Sequence, residues 1–140
     1  MEFPETLEPE TLKPLLVVAA VIFDPNRGFL CAQRPANKHL PLKWEFPGGK
    51  IEPDESPETA LHREIEEELA TTLEILEPMP VIDYPYPDRI IRLIPFHCRL
   101  TGPEPSLLWH HELRWVPKEE LPTLDWAEAD WPLIHQLSKV

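Results

Sequence analysis

Gly49-Lys50-Ile51-Glu52-Pro53-Asp54-Glu55-Ser56-Pro57-Glu58-Thr59-Ala60-Leu61-His62-Arg63-Glu64-Ile65-Glu66-Glu67-Glu68-Leu69 is the stretch on which the fold turns. It opens on a glycine of the pair Gly48-Gly49, where the backbone is free to take a positive φ or to approach a ligand. Ser56 is a helix N-cap, Pro57 suits the first helical position, and Glu58 complements the positive end of the helix dipole. The helix should run to about Leu69. Leu61, Ile65 and Leu69 recur at i, i+4 and i+8 and form its buried stripe. Glu64, Glu67 and Glu68 share a neighbouring face, at spacings of three and four. Like charges so placed repel, and a divalent cation among them removes that penalty. Taken alone, the helix fits either a solvated acidic face or a cation site.

Outward from this segment, Leu15 to Phe23 is a continuous apolar run rich in Val, Ile and Ala, which predicts a central strand. Asp24-Pro25-Asn26-Arg27-Gly28 is a turn, and Phe29 to Arg34 is the return strand. Pro35 to Lys43 reads as a loop, followed by a short extended piece, Trp44-Glu45-Phe46. Beyond the helix, Leu73 to Tyr86 and Ile90 to Leu100 are expected strands around a Pro87-Asp88-Arg89 turn. Leu113 to Val116 is a further strand. Trp126 to Leu137 is a C-terminal helix started by Asp125, with Pro132 near its first turn. This order of strands, helix, strands, helix is that of an α+β, mixed-sheet sandwich.

The 140 residues suit one domain. The net charge of −12 disfavours a nucleic-acid partner, which calls for a basic footprint. It leaves room for polyphosphates whose contact is mediated by divalent cations. No apolar run is long enough for a membrane span, and no basic stretch precedes an apolar one as in a signal peptide. Cys31 and Cys98, the two cysteines, sit in apolar segments as small hydrophobes, and a reducing cytoplasm is expected. The 19 prolines mostly punctuate segment junctions. Residues 1–14, polar, acidic and proline-bearing, form an expected flexible N-terminal arm, with the domain spanning 15–140.

The spacing within the opening segment is specific. From Gly49 come five residues, then Glu55, then seven residues, then Arg63-Glu64-Ile65-Glu66-Glu67-Glu68. This resembles the box of the Nudix hydrolases, G-x5-E-x7-R-E-U-x-E-E-x-G-U, with U a bulky aliphatic. Only the last two positions depart: Ala70 and Thr71 stand for Gly and an aliphatic. With the glycine gone, the helix is expected to end differently or to run slightly longer. Trp44 to Glu52, Tyr86-Pro87-Asp88-Arg89 and Ala129-Asp130 are similar to the MutT-type subgroup.

The resemblance implies the Nudix fold, a mixed β-sheet sandwiched between helices. It also implies a nucleoside triphosphate pyrophosphohydrolase. Glu64, Glu67 and Glu68, with the Gly48 carbonyl, would hold Mg²⁺ or Mn²⁺. Glu64 would orient or deprotonate the attacking water, and Arg63 and Glu55 would form the pair that supports it. Arg34, His39, Phe46, Tyr86, Arg89 and Asp130 match places that surround the nucleotide, with 8-oxo-dGTP the leading substrate. Asp130 stands where MutT carries Asn; an ionised carboxylate only accepts, so Asp130 requires a base edge with two donors or must itself be protonated. Trp109 stands where a further metal-site Glu is expected, with His111 or Glu112 as substitutes. The partner is a small nucleotide, with neither nucleic acid nor membrane, and the protein is a monomer or homodimer. The alternatives are a Nudix hydrolase of another nucleoside diphosphate compound (an oxidised or 5-substituted pyrimidine dNTP, ADP-ribose or NADH) and a non-catalytic Nudix-like recognition domain.

Overall fold

The apolar run near the start of the chain becomes β1, Leu15–Asp24, the spine of an eight-stranded mixed sheet. The computed structural model describes residues 13–139, so the expected arm lies outside the described residues apart from Lys13 and Pro14. After β1 come β2 (Gly28–Gln33), β3 (Trp44–Glu45), β4 (Gly48–Lys50), α1 (Pro57–Leu69), β5 (Leu73–Pro78), β6 (Ile82–Tyr86), β7 (Arg89–Leu100), β8 (Glu112–Val116) and α2 (Trp131–Ser138). β1 pairs in parallel with β7, from Leu15↔Ile91 to Ile22↔Cys98. On its other edge it pairs antiparallel with β4, and its last residues turn into the hairpin with β2. β2 carries β3 and β8, while β7 carries β5 and β6.

Both faces of β1 are covered, which is why its sequence is apolar throughout rather than alternating. Val18, Ala20 and Ile22 pack with Leu30, Phe96 and the α1 residues Leu61, Ile65 and Leu69. Ala19 and Val21 face the opposite core, with Trp126, Leu133 and Ile134. The helices thus lie on opposite faces, an α+β sandwich. Each fully buried Leu or Ile of the α1 stripe contributes about 1.5–3 kcal/mol of transfer free energy. Cys31 and Cys98 are buried, unpaired members of the two cores. Among the described residues no helix is long and apolar enough to cross a membrane.

Three local expectations change. The segment Leu73 to Tyr86 is two strands: β5 pairs with the C-terminal half of β7 and β6 with its N-terminal half. Pro78 and Pro80 flank the break, and the buried Met79 donates its N–H to the Pro95 carbonyl (3.0 Å). The C-terminal helix begins at Trp131, not near Trp126. Before it, Trp126 bridges to Trp44, Asp125 pairs with Lys43 (2.9 Å), and Glu128–Asp130 forms a short 3₁₀ turn. Finally, α1 ends where the missing glycine would have ended it. Ala70 takes the left-handed conformation, φ 53°, and donates its N–H to the Glu66 carbonyl (3.0 Å). The following loop holds it there: Ser106 N–H binds the Leu69 carbonyl (2.8 Å), and Thr71 Oγ1 donates to the Pro103 carbonyl.

An alanine in this region carries a steric cost of roughly 1–2 kcal/mol that glycine lacks. Ala70→Gly should therefore raise stability by about 1 kcal/mol in urea denaturation. A neutral or destabilising result would show that the loop, and not the backbone angle, determines the helix end.

Candidate active site

One cavity of about 790 Å³ opens between β4, the acidic face of α1, the turn ahead of β7 and the 3₁₀ turn ahead of α2. Its floor begins at β4. There Gly48 lies so close to β1 that a Cβ would stand 1.9 Å from the Val18 carbonyl oxygen. At Gly49 a Cβ would meet the Glu64 carboxylate at 2.4–2.6 Å. The missing side chain at Gly48 lets β4 lie against β1, and the one at Gly49 lets α1 bring Glu64 down onto the strand.

Arg63 organises this end of the cavity. Its Nε and Nη2 donate to the two oxygens of Glu55 (2.7 and 2.9 Å). Its Nη1 donates to Glu64 (2.9 Å) and Glu67 (3.3 Å), and Nη2 also reaches the Lys50 carbonyl (3.0 Å). Glu55 further accepts the Glu52 N–H (2.9 Å). The Arg63 hydrogen bonds pull the Glu55 carboxyl down to about 2, and the Arg63 guanidinium is raised in turn. Of the residues expected at the site, Glu55 stands behind the wall; Arg63, Glu64, Glu67 and Glu68 line it.

The deeper carboxylates are under electrostatic stress. Glu64 is raised by burial, against the opposing pull of Arg63. Glu68 is pushed up to about 9 by burial and by the charges of Glu45 and Glu64. Its Oε1 is buried and has no hydrogen-bond partner. Among the described residues no three acidic or histidine side chains cage an ion as they stand. The groups there are nonetheless hard carboxylate oxygens, one of them orphaned, which is the chemistry that suits Mg²⁺ or Mn²⁺.

The cavity is also lined by aromatic rings and by Asp130. This residue ends the 3₁₀ turn, and its Oδ2 accepts the Phe46 N–H (3.2 Å). Burial above all, with the Glu45 charge, pushes its carboxyl up to about 8. Phe46 packs on Trp126 (5.0 Å between centroids) and also lines the cavity, so core packing and site are not exclusive. Tyr86 Oη accepts the Ala129 N–H (2.9 Å), and Arg89 stands at the adjacent turn. Arg34 and His39 line the side wall. Arg34 Nε donates to the His39 carbonyl (2.6 Å) and Nη1 to Glu45 (3.1 Å).

The residues Trp109 to Glu112 lead into β8. Glu112 binds Arg114 (3.1 Å), and neither it nor His111 reaches the cavity. Trp109 lines the cavity instead, and His110, wholly buried, turns its ring inward to Glu45 (Nε2 to Oε2, 3.1 Å). Neither Glu45 nor His110 was legible as a site residue. Glu45 sits in the extended piece before the glycines, and nothing in the sequence alone distinguishes His110 from His111.

A family profile described as NUDIX domain matches residues 13–137. The chain is 32% identical over 132 residues to the 8-oxo-dGTP diphosphatase of Escherichia coli K12, covering 92% of this chain and all of that protein. It is 39% identical over 129 residues to the CTP pyrophosphohydrolase of the same organism, covering 89% and 91%. The solution structure of a MutT Nudix hydrolase from methicillin-resistant Staphylococcus aureus 252 superposes with a TM-score of 0.73 at 39% identity, covering 91% and 98%.

Arg63→Lys keeps the charge but loses the two-pronged grip on Glu55. A displacement of Glu64 on the ångström scale costs about 100-fold in kcat/KM, and steady-state kinetics should show that loss. Unchanged kinetics would remove Arg63 from the machinery. Asp130 supplies a pH test. Its folded-state value lies above the unfolded one, so the folded chain retains a proton that the unfolded chain has lost. Its contribution is complete below about 4 and declines as pH rises towards 8. Asp130→Asn should therefore gain stability relative to the parent chain between pH 5 and pH 8 in urea melts. A pH-independent difference would mean that Asp130 is ionised.

Proposed function

The chain belongs to the NUDIX domain family and is a pyrophosphohydrolase, and from that premise we propose that it hydrolyses nucleoside triphosphates between the α- and β-phosphates, oxidised deoxynucleotides such as 8-oxo-dGTP foremost. Such an enzyme acts on small nucleotides in the cytoplasm and clears damaged ones from the pool. The observation that carries the reading is the cavity itself, which is lined both by the carboxylates of α1 and by Asp130, Phe46 and Tyr86. A nucleotide laid along it puts its phosphates and its base against groups of matching chemistry.

Glu64, Glu67, Glu68 and the Gly48 carbonyl would hold Mg²⁺ or Mn²⁺. Once bound, the cation neutralises phosphate charge and lowers the pKa of a coordinated water. The remaining work falls to the chain's own groups. Glu64, fixed by Arg63, orients the attacking water and takes its proton. Oxygen joins phosphorus as the α–β bridge breaks, so water and the triphosphate give a nucleoside monophosphate and pyrophosphate. Arg89 and Arg34 meet the developing charge from the cavity wall.

Asp130 reads the base as a neutral acid. An ionised carboxylate only accepts, but with its carboxyl at about 8 the residue offers an O–H donor beside a carbonyl acceptor at neutral pH. The edge of 8-oxoguanine presents N7–H beside O6, and this pair matches. The Watson–Crick edge of cytosine presents N4–H beside N3, and it matches too. A cytidine nucleotide is therefore the second reading. It is supported by the higher identity to the CTP pyrophosphohydrolase than to the 8-oxo-dGTP diphosphatase of the same organism.

The test is pyrophosphate release with Mg²⁺ from 8-oxo-dGTP, dGTP, CTP, dCTP and ADP-ribose. The expected outcome is a higher kcat/KM for 8-oxo-dGTP than for dGTP, with activity abolished by chelation and restored by added Mg²⁺. A cytidine triphosphate ahead of 8-oxo-dGTP moves the substrate to the second reading. No release from any triphosphate overturns both. Glu64→Gln should lower kcat by about 10²–10⁴, the span of general-base catalysis, and full activity would remove Glu64 from that role.

A further inference from the structure

His110 and Glu45 fall outside the groups assigned above, yet they adjoin the cation site. Glu45 is held at both oxygens: Oε1 accepts from Arg34 Nη1 and Oε2 from His110 Nε2, each at 3.1 Å. A carboxylate only accepts, which assigns the ring proton to Nε2. The same Nε2 stands 3.9 Å from Glu68 Oε1, the buried oxygen that has no partner. The His110 side chain has no exposure to solvent, and the Trp109 ring stands edge-on to it at 4.8 Å. The imidazole therefore has a fixed place between two carboxylates, with its N–H on the side facing both.

We propose that His110, anchored by Glu45, is a positioning residue that sets the orientation of Glu68 as a cation ligand. The inference rests on the cation site proposed above. Without the imidazole, the carboxyl groups of Glu45 and Glu68 would face one another with no N–H between them, and Glu68, once a cation ionised it, would be repelled by Glu45. With it, the N–H lies between the two carboxyl groups. Glu68 keeps one oxygen unclaimed by any protein donor and free for a hard cation. Partners of this kind, one step removed from the ion, typically govern metal affinity by 10–100-fold.

The test compares the unaltered protein with His110→Phe, which keeps a ring and loses the N–H, and His110→Gln, which restores a donor near Nε2. Mg²⁺ binding to the nucleotide-free protein is measured by calorimetry, and nucleotide KM at saturating Mg²⁺ by kinetics. The expected result is Mg²⁺ binding weakened roughly 10–100-fold in His110→Phe, largely recovered in His110→Gln, with KM for nucleotide unchanged. A folded His110→Phe that binds Mg²⁺ like the parent overturns the proposal and leaves the cation site standing. A parent protein that binds no Mg²⁺ overturns both. Should His110→Phe fail to fold, the ring nitrogens of ¹⁵N-histidine-labelled parent protein give the answer by NMR. The His110 resonances should move on Mg²⁺ addition, and unmoved resonances reject the proposal.

Discussion

The Arg63 guanidinium has five N–H groups, and the loop and helix around it use all of them. Two go to Glu55, one each to Glu64 and Glu67, and one to the Lys50 carbonyl. Through these bonds one planar group fixes the distance between strand β4, the loop after it and the second half of α1. The rest of the site depends on that distance. Gly49 can lie against the Glu64 carboxylate only because the helix is held at this height, and the cavity floor is the surface so formed. A lysine, with a single point of charge, would hold one carboxylate and leave the others to repel.

The parts of this architecture legible in the sequence are those set by short-range spacing. The Gly49-to-Glu68 pattern places its residues within one loop and one helix, and the structure brings them together there. The apolar run of β1 signals coverage on both faces, and two cores are found. The less legible parts depend on which long-range partner a segment finds. The division into β5 and β6 follows from how the long strand β7 is shared; Pro78 and Pro80 mark the break locally but do not say which half of β7 each piece pairs with. The late start of α2 follows from the pairing of Trp126 with Trp44 and of Asp125 with Lys43. His110 was indistinguishable from His111 until the approach to β8 placed one ring inside and left the other out of the cavity.

Glu68 and Asp130 share a constraint. Burial first, and then the charge of Glu45, raises both carboxyls. A chain carrying a net charge of −12 thus concentrates acidic groups where they interact most strongly and holds some of them as neutral acids. At Asp130 this brings the carboxyl close to an asparagine in its hydrogen bonding: a protonated carboxyl, like an amide, pairs a donor with an acceptor.

The parallel pairing of β1 with β7 also bears on how the chain is made. Residues around Leu15 leave the ribosome long before their partners around Ile91. At roughly 5–20 residues per second, the most apolar strand spends several seconds with one edge unpaired. β4 and α1 emerge in that interval, and they cover the other edge and one face. In the finished sheet the glycine-box segment thus covers one edge and one face of β1 with residues near it in sequence, while the other edge is closed by a strand far along the chain.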